Sequence, residues 1–145
     1  IIHKIGFESS PKSREKVEQL AREHAVRLNW IGGVDEHDLI ASYQHADALL
    51  FPSAAEGFGL PVVEAMAAGT MVLASDLPAH NMHLREEFLV SAENPDAWKE
   101  AISRQLSEPR DVSELMIKDA QRYSDDYFCK QLSEAWKQLF ENKIR

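Results

Sequence analysis

Short apolar runs alternate along the chain with segments whose apolar positions recur every three or four residues, the pattern of a parallel sheet covered by helices. Ile1–Ile5 reads as the interior of a buried strand that ends at Gly6. Ser10 and Pro11 form an N-cap and first helical position, and that helix continues through Val17, Leu20 and Ala21. Arg27–Ile31 is a second strand closed by Gly32 and Gly33. Asp35 then caps a helix whose inner face carries Leu39, Ile40 and Tyr43. Ala48–Phe51 is a third strand, unbroken in its apolar character, as strands buried on both faces are. Pro61–Ala68 forms a short apolar helix stopped by Gly69, and its lack of a polar side predicts that it is sandwiched. Met71–Ala74 and Phe88–Val90 supply a fourth and a fifth strand.

From Asn94-Pro95 onward the pattern is helical. Trp98, Ile102 and Leu106 share one face of a first helix. Leu115, Met116 and Ala120 mark a second, over Val112–Tyr123. Phe128, Leu132, Ala135, Trp136 and Leu139 mark a third, over Asp125–Asn142. The fold class is α/β, a doubly wound, Rossmann-like parallel sheet with a helical C-terminal tail.

Composition narrows the function classes. The 145 residues suit one domain or a piece of one, and a net charge of -8 argues against nucleic acid or an anionic membrane as partner. A single cysteine, Cys129, excludes an intramolecular disulfide and a Cys-rich zinc site, and fits a reducing, cytoplasmic compartment. No apolar run approaches the ~20 residues of a membrane span. The start at Ile1, inside an apparent strand, predicts that residues upstream have been removed.

The chemistry concentrates between Phe51 and Gly69. This stretch runs from the carboxyl end of a strand, through a glycine-flanked turn, into a helix N-terminus, where ligands bind in open α/β sheets. Gly57 and Gly59 permit close approach of a ligand, and the N–H groups after them suit a phosphate or a sugar oxygen. Glu56 lies in the turn, and Glu64, about one turn into the helix and ~5–6 Å along the axis from its start, leans back toward it. Carboxylates accept hydrogen bonds only, so this pair suits a ribose diol and a hexose, with amides on the phosphates between them.

Glu56 and Glu64, with seven residues between them in a Glu-Gly-Phe-Gly-Leu-Pro setting, resemble the E-x7-E signature of family 4 (group 1) retaining glycosyltransferases of GT-B fold. Three further segments are similar to that family: Leu28–Val34, Leu39–Ser53 with its Ala46-Asp47 pair, and Ala74–Pro78. The resemblance covers roughly Ile1 to Leu106 and implies a nucleotide-sugar-binding C-terminal domain, spanning 1–145 here. It assigns the donor sugar's hydroxyls to Glu56, the one residue it implicates in catalysis, and the ribose hydroxyls to Glu64. The backbone of Gly57, Phe58, Gly59 and Leu60 would meet the sugar and diphosphate, with Gly32 near the base. It also implies transfer with retention, no metal or other cofactor, and an acceptor sugar, lipid or polysaccharide held by an N-terminal domain. The family's opening strand and helix, with an Arg and a Lys for the diphosphate, do not precede Ile1. That predicts a central slot in the sheet and a chain that binds donor but transfers poorly. Met71 stands where the family commonly has Pro.

Other residues read as ordinary. Tyr43 and Cys129 suit the core, and Phe58 a hydrophobic plug. His80 and His83, spaced i, i+3, suit a solvated loop better than a shared metal. Lys99, Arg104 and Arg110 suit solvated helix surfaces. A non-catalytic nucleotide-sugar module and an inert fragment are the alternatives to a transferase donor domain.

Overall fold

A computed structural model describes residues 1–6 and 10–141, with side-chain surroundings as far as Glu134. The chain divides into two compact units, 1–39 and 40–145. In the first unit, β1 (Ile2–Ile5) and β2 (Leu28–Ile31) pair in parallel, in register from Ile2 opposite Leu28 to Ile5 opposite Ile31. They are joined by α1 (Pro11–Glu23). Ser10 caps α1 as expected, its hydroxyl accepting the Ser13 N–H at 3.2 Å, with Pro11 in the first turn. The buried strand interior predicted at Ile1–Ile5 is not found: Ile1 and Ile2 are exposed, as are Val17 and Leu20. The reason is local, since the sheet of this unit has two strands and α1 has no buried residue to cover it. The Arg14 guanidinium instead lies over the Trp30 ring, 5.2 Å from its centroid.

α2 (Glu36–His45) starts at a cap on Asp35, whose carboxylate accepts the Asp38 N–H at 2.8 Å, and it runs from the first unit into the second. Tyr43 is buried on it, but Ile40, expected beside Tyr43, is exposed. In the second unit β3 (Leu49–Phe51), β4 (Val72–Ser75) and β5 (Leu89–Val90) form a parallel sheet in that order. All four residues of β4, the middle strand, are buried. β3 is only half-buried, against the expectation of burial on both faces, because β4 is its one ladder partner among the described residues. The five strands are therefore paired as two parallel sheets and not as one.

α3 (Leu60–Ala67) joins β3 to β4 and buries Val62, Ala65 and Met66. It packs on α6 (Ser113–Ala120), which supplies Met116 and Ala120. It also packs on β3 and β4, so sheet and helix both cover it as a sandwiched helix requires, although Leu60, Glu64 and Ala67 remain exposed. Gly69 follows it at φ +80°, as a left-handed helix stop requires. Between β4 and β5 come α4 (Pro78–Asn81) and a 3-10 turn, Glu86–Phe88. α5 (Pro95–Ser107) lays Trp98 and Ile102 against Leu73, Val90 and Ala101.

Leu106, predicted on that same face, is 72% exposed. A sheet whose fifth strand is two residues long covers the first turns of α5 and not its last. A second 3-10 turn, Gln121–Tyr123, leads from α6 to α7 (Asp125–Glu141). Phe128 and Leu132 are exposed on α7, and so is Cys129, which was expected to be buried. No described element covers that stretch. Ala135, Trp136 and Leu139 lie outside the residues whose side chains are described. Arg110 follows α5 instead of lying on a helix, and pairs with Glu87 at 2.8 Å. No described helix is long and apolar enough to cross a membrane.

Candidate functional site

The site is built on the second unit. β3 delivers the chain to Pro52, and the turn that follows is braced from within. Ser53 N–H donates to the Phe51 carbonyl at 2.9 Å, and the Ser53 hydroxyl to the Ala55 carbonyl at 2.8 Å. Gly59 then caps α3 in the left-handed region, φ +87° and ψ +46°. Its carbonyl accepts the Val62 N–H at 2.9 Å and the Val63 N–H at 3.4 Å, and Pro61 has no N–H to place. That leaves the amides of Gly57, Phe58, Gly59 and Leu60 without a protein acceptor among the described residues. Four successive unpaired donors at a helix start form a concentrated site for oxyanions and sugar oxygens.

The glycines differ in what they do here. A Cβ on Gly59 would lie 3.1 Å from His80 Cδ2 and 3.7 Å from Glu56 Cγ, so both packing and φ demand glycine. Gly57 has open space around it and no positive φ, so neither packing within the chain nor backbone conformation requires glycine there, and the open space is where a ligand could approach. Gly32 is equally open, and it follows β2 in the first unit.

Glu56 is exposed, with its side chain over Gly59. Glu64 is exposed on α3, and its Oε2 accepts the Tyr43 hydroxyl proton at 3.0 Å. Tyr43 is buried, as expected, and it also aims a carboxylate. Burial first, and then the hydrogen bond to Glu64 and the charge of Glu64, push its phenol well above the ordinary range, so it stays a donor. The Tyr43 carbonyl accepts the buried Thr70 hydroxyl at 2.7 Å, which fixes the backbone behind the pair.

His80 and His83 correct the sequence reading. Neither is in a solvated loop: they are 0% and 2% exposed. Pro78 opens α4, which carries His80, and His83 follows the C-cap Met82; a proline in a first helical position was the sequence signal that this stretch is not a loop. His80 Nδ1 faces the Ser75 carbonyl at 2.7 Å, so it carries the proton. Its Nε2 is buried without a partner beneath Gly59. His83 Nε2 lies 2.5 Å from the Phe58 carbonyl and Nδ1 2.5 Å from the Tyr123 hydroxyl, so neither nitrogen is free to share a metal. Burial first, with Arg122 and His80 adding to it, lowers the affinity of His83 for a second proton. The bond to Phe58 acts the other way. Phe58 is 41% exposed, yet it packs edge-on against His83 and Tyr123, at 4.6 and 5.9 Å between centroids, so its ring covers the histidine from outside. Beside the loop, at the carboxyl ends of β4 and β5, a cleft is lined by Ala54, Asp76, Leu77, Ser91, Ala92 and Glu93.

Residues 5–123 match the family model described as glycosyl transferases group 1. The chain is 34% identical over 140 residues, 92% of its length, to D-inositol 3-phosphate glycosyltransferase of Corynebacterium urealyticum. It is 39% identical over 83 residues, 54% of its length, to phosphatidyl-myo-inositol mannosyltransferase of Mycobacterium tuberculosis. It spans 32% of the first relative and 22% of the second. Sucrose-phosphate synthase of Thermosynechococcus elongatus superposes with a TM-score of 0.73 at 28% identity, covering 95% of this chain and 38% of that one. The fold is thus the Rossmann-like α/β type found in GT-B glycosyltransferases.

Proposed function

The chain belongs to the glycosyl transferases group 1 family, and on that premise we propose that it is the donor-binding part of a retaining, metal-independent transferase. It would take a sugar from a nucleotide-sugar and pass it to an acceptor sugar, lipid or polysaccharide bound by another domain. The observation that carries this reading is the row of unpaired amides at Gly57–Leu60, with Glu56 and Glu64 exposed to either side of it in sequence.

Each group has a chemical task that the others cannot perform. The amides donate to the diphosphate and meet negative charge as it develops on the leaving group, which supports charge stabilisation without a divalent cation. The carboxylates cannot donate, so they select hydroxyls. Glu56, over Gly59, orients the donor sugar, and Glu64, held by Tyr43, takes the ribose diol. In the transfer the bond from the anomeric carbon to the diphosphate oxygen breaks with its electron pair leaving on the diphosphate, and an acceptor hydroxyl oxygen bonds to that carbon on the same face as its proton passes to the departing phosphate oxygen. The family resemblance supports retention, and the protein's contribution is placement and charge.

Calorimetry with UDP-, GDP- and ADP-linked hexoses tests the reading. One of them binds, and Glu64→Ala removes the heat of binding while a cooperative thermal melt, lowered only by the loss of the Tyr43 partner, shows that the variant is still folded. Failure of every donor to bind the wild-type chain refutes the proposal.

A further inference from the structure

We propose that His83 is a positioning residue for the donor cup, holding the Phe58 carbonyl inward so that the Gly59 N–H is turned toward the ligand. The inference rests on the donor-binding reading and adds to it a residue that never meets the donor.

The geometry is closed on every side of the imidazole. A carbonyl can only accept, so Nε2 carries the proton and donates to Phe58 O at 2.5 Å. Nδ1 then accepts from the Tyr123 hydroxyl, also at 2.5 Å. That hydroxyl lies 3.2 Å from the Met82 carbonyl as well, and Arg122 donates to the carbonyl of His83 itself at 2.6 Å. Side chain and backbone of one residue are therefore both tied to the 3-10 turn Gln121–Tyr123. Stacking completes the fit: the His83 and Tyr123 rings meet edge to face at 5.1 Å, and Phe58 covers both. Arg85 adds a bidentate pair to Asp119 of α6, at 2.8 and 3.2 Å, just beyond His83.

The consequence for the cup follows from peptide geometry. The Phe58–Gly59 peptide is trans, so its C=O and N–H point in opposite directions. Fixing the carbonyl on a buried imidazole turns the Gly59 N–H away from His83, and that amide has no protein acceptor among the described residues. In a glycine-flanked turn this plane would otherwise flip easily, and an inward amide would remove one donor from the row.

Three variants of the 145-residue chain test the role, with UDP-, GDP- and ADP-linked hexoses as probes in calorimetry. His83→Phe keeps the ring and removes both nitrogens; it lowers donor affinity by about tenfold, the scale of one hydrogen bond to a charged ligand. His83→Gln restores an N–H within reach of Phe58 O and recovers most of that loss. Tyr123→Phe removes one hydroxyl and serves where His83→Phe fails to fold, with a smaller loss in the same direction. Nitrogen-15 spectra of the wild type show His83 protonated on Nε2, and the Gly59 amide resonance moves in His83→Phe but returns in His83→Gln. Equal affinity of His83→Phe and wild type overturns the inference and leaves the donor reading standing, and so does a His83→Gln no better than His83→Phe. A wild-type chain that binds none of the probes overturns both.

Discussion

The phenol of Tyr43 donates to Glu64 Oε2 at 3.0 Å, from a buried residue on α2 to an exposed one on α3. A carboxylate on the outside of a helix is ordinarily free to sample several rotamers in water. Here one oxygen is held, and the other is left for a ligand. Tyr43→Phe removes the tether and keeps the ring, so the core is undisturbed. Glu64 can regain water, which limits the stability change to about 1 kcal/mol or less. Donor affinity falls about three- to tenfold, the cost of ordering a released side chain. Paired calorimetry and urea melts check this, and a Tyr43→Phe chain that binds as wild type removes Tyr43 from the site.

The tether itself depends on a buried hydroxyl. Thr70 follows the Gly69 helix stop and donates to the Tyr43 carbonyl at 2.7 Å. Thr70→Val keeps the shape and leaves that carbonyl unsatisfied, at a cost of about 1–3 kcal/mol. Thr70→Ser keeps the bond and costs less. Urea unfolding of the two variants separates the hydroxyl from the methyl; equal losses would show that packing, and not the bond, matters.

Much of this was legible in the residues, and the parts that were not share a cause. Ser10-Pro11, Asp35 and Gly69 carry their own local chemistry, so caps and a helix stop were predicted where they occur. The fold class and the family followed from apolar runs and from Glu56 and Glu64. Burial was misjudged where it depends on partners elsewhere in the chain. Ile2, Ile40, Leu106 and Phe128 have the right spacing for inner faces, but no described neighbour covers them. His80 and His83 failed in the opposite sense. Their surroundings are assembled from Ser75, Phe58 and Tyr123, and the pairs to the last two span 25 and 40 residues, beyond any local pattern.

The pH response of the fold follows from His83. Its imidazole is held below its ordinary value of 6.5, chiefly by burial, with Arg122 and His80 facing it and the Phe58 carbonyl opposing the shift. A lowered value in the folded state means the unfolded chain binds the extra proton first as pH falls. Stability is therefore complete above about pH 6.5 and is lost progressively below it. Asp119, held below its usual value by Arg85, adds a second loss only below pH 3.8. Thermal melts between pH 5 and 8 show the first loss in the wild type, and a flatter curve in His83→Gln. Identical curves for the two proteins would rule His83 out as the group responsible.

Gly59 is where conformation and packing make the same demand. An L-residue at φ +87° is in the left-handed region, which costs about 1–2 kcal/mol. A Cβ there also meets His80 Cδ2 at 3.1 Å, and that ring cannot yield easily, because its Nδ1 is held by the Ser75 carbonyl. Gly59→Ala therefore destabilises the chain by about 2–3 kcal/mol and disturbs the amide row even in molecules that remain folded. Gly57→Ala is the control: open space and no positive φ leave it within about 0.5 kcal/mol of wild type. Any loss of donor affinity in that variant then reports crowding of the ligand and not damage to the fold. Urea melts read the stability difference, and calorimetry reads the affinity. If Gly59→Ala proves as stable as Gly57→Ala, the contact with His80 does not constrain the turn.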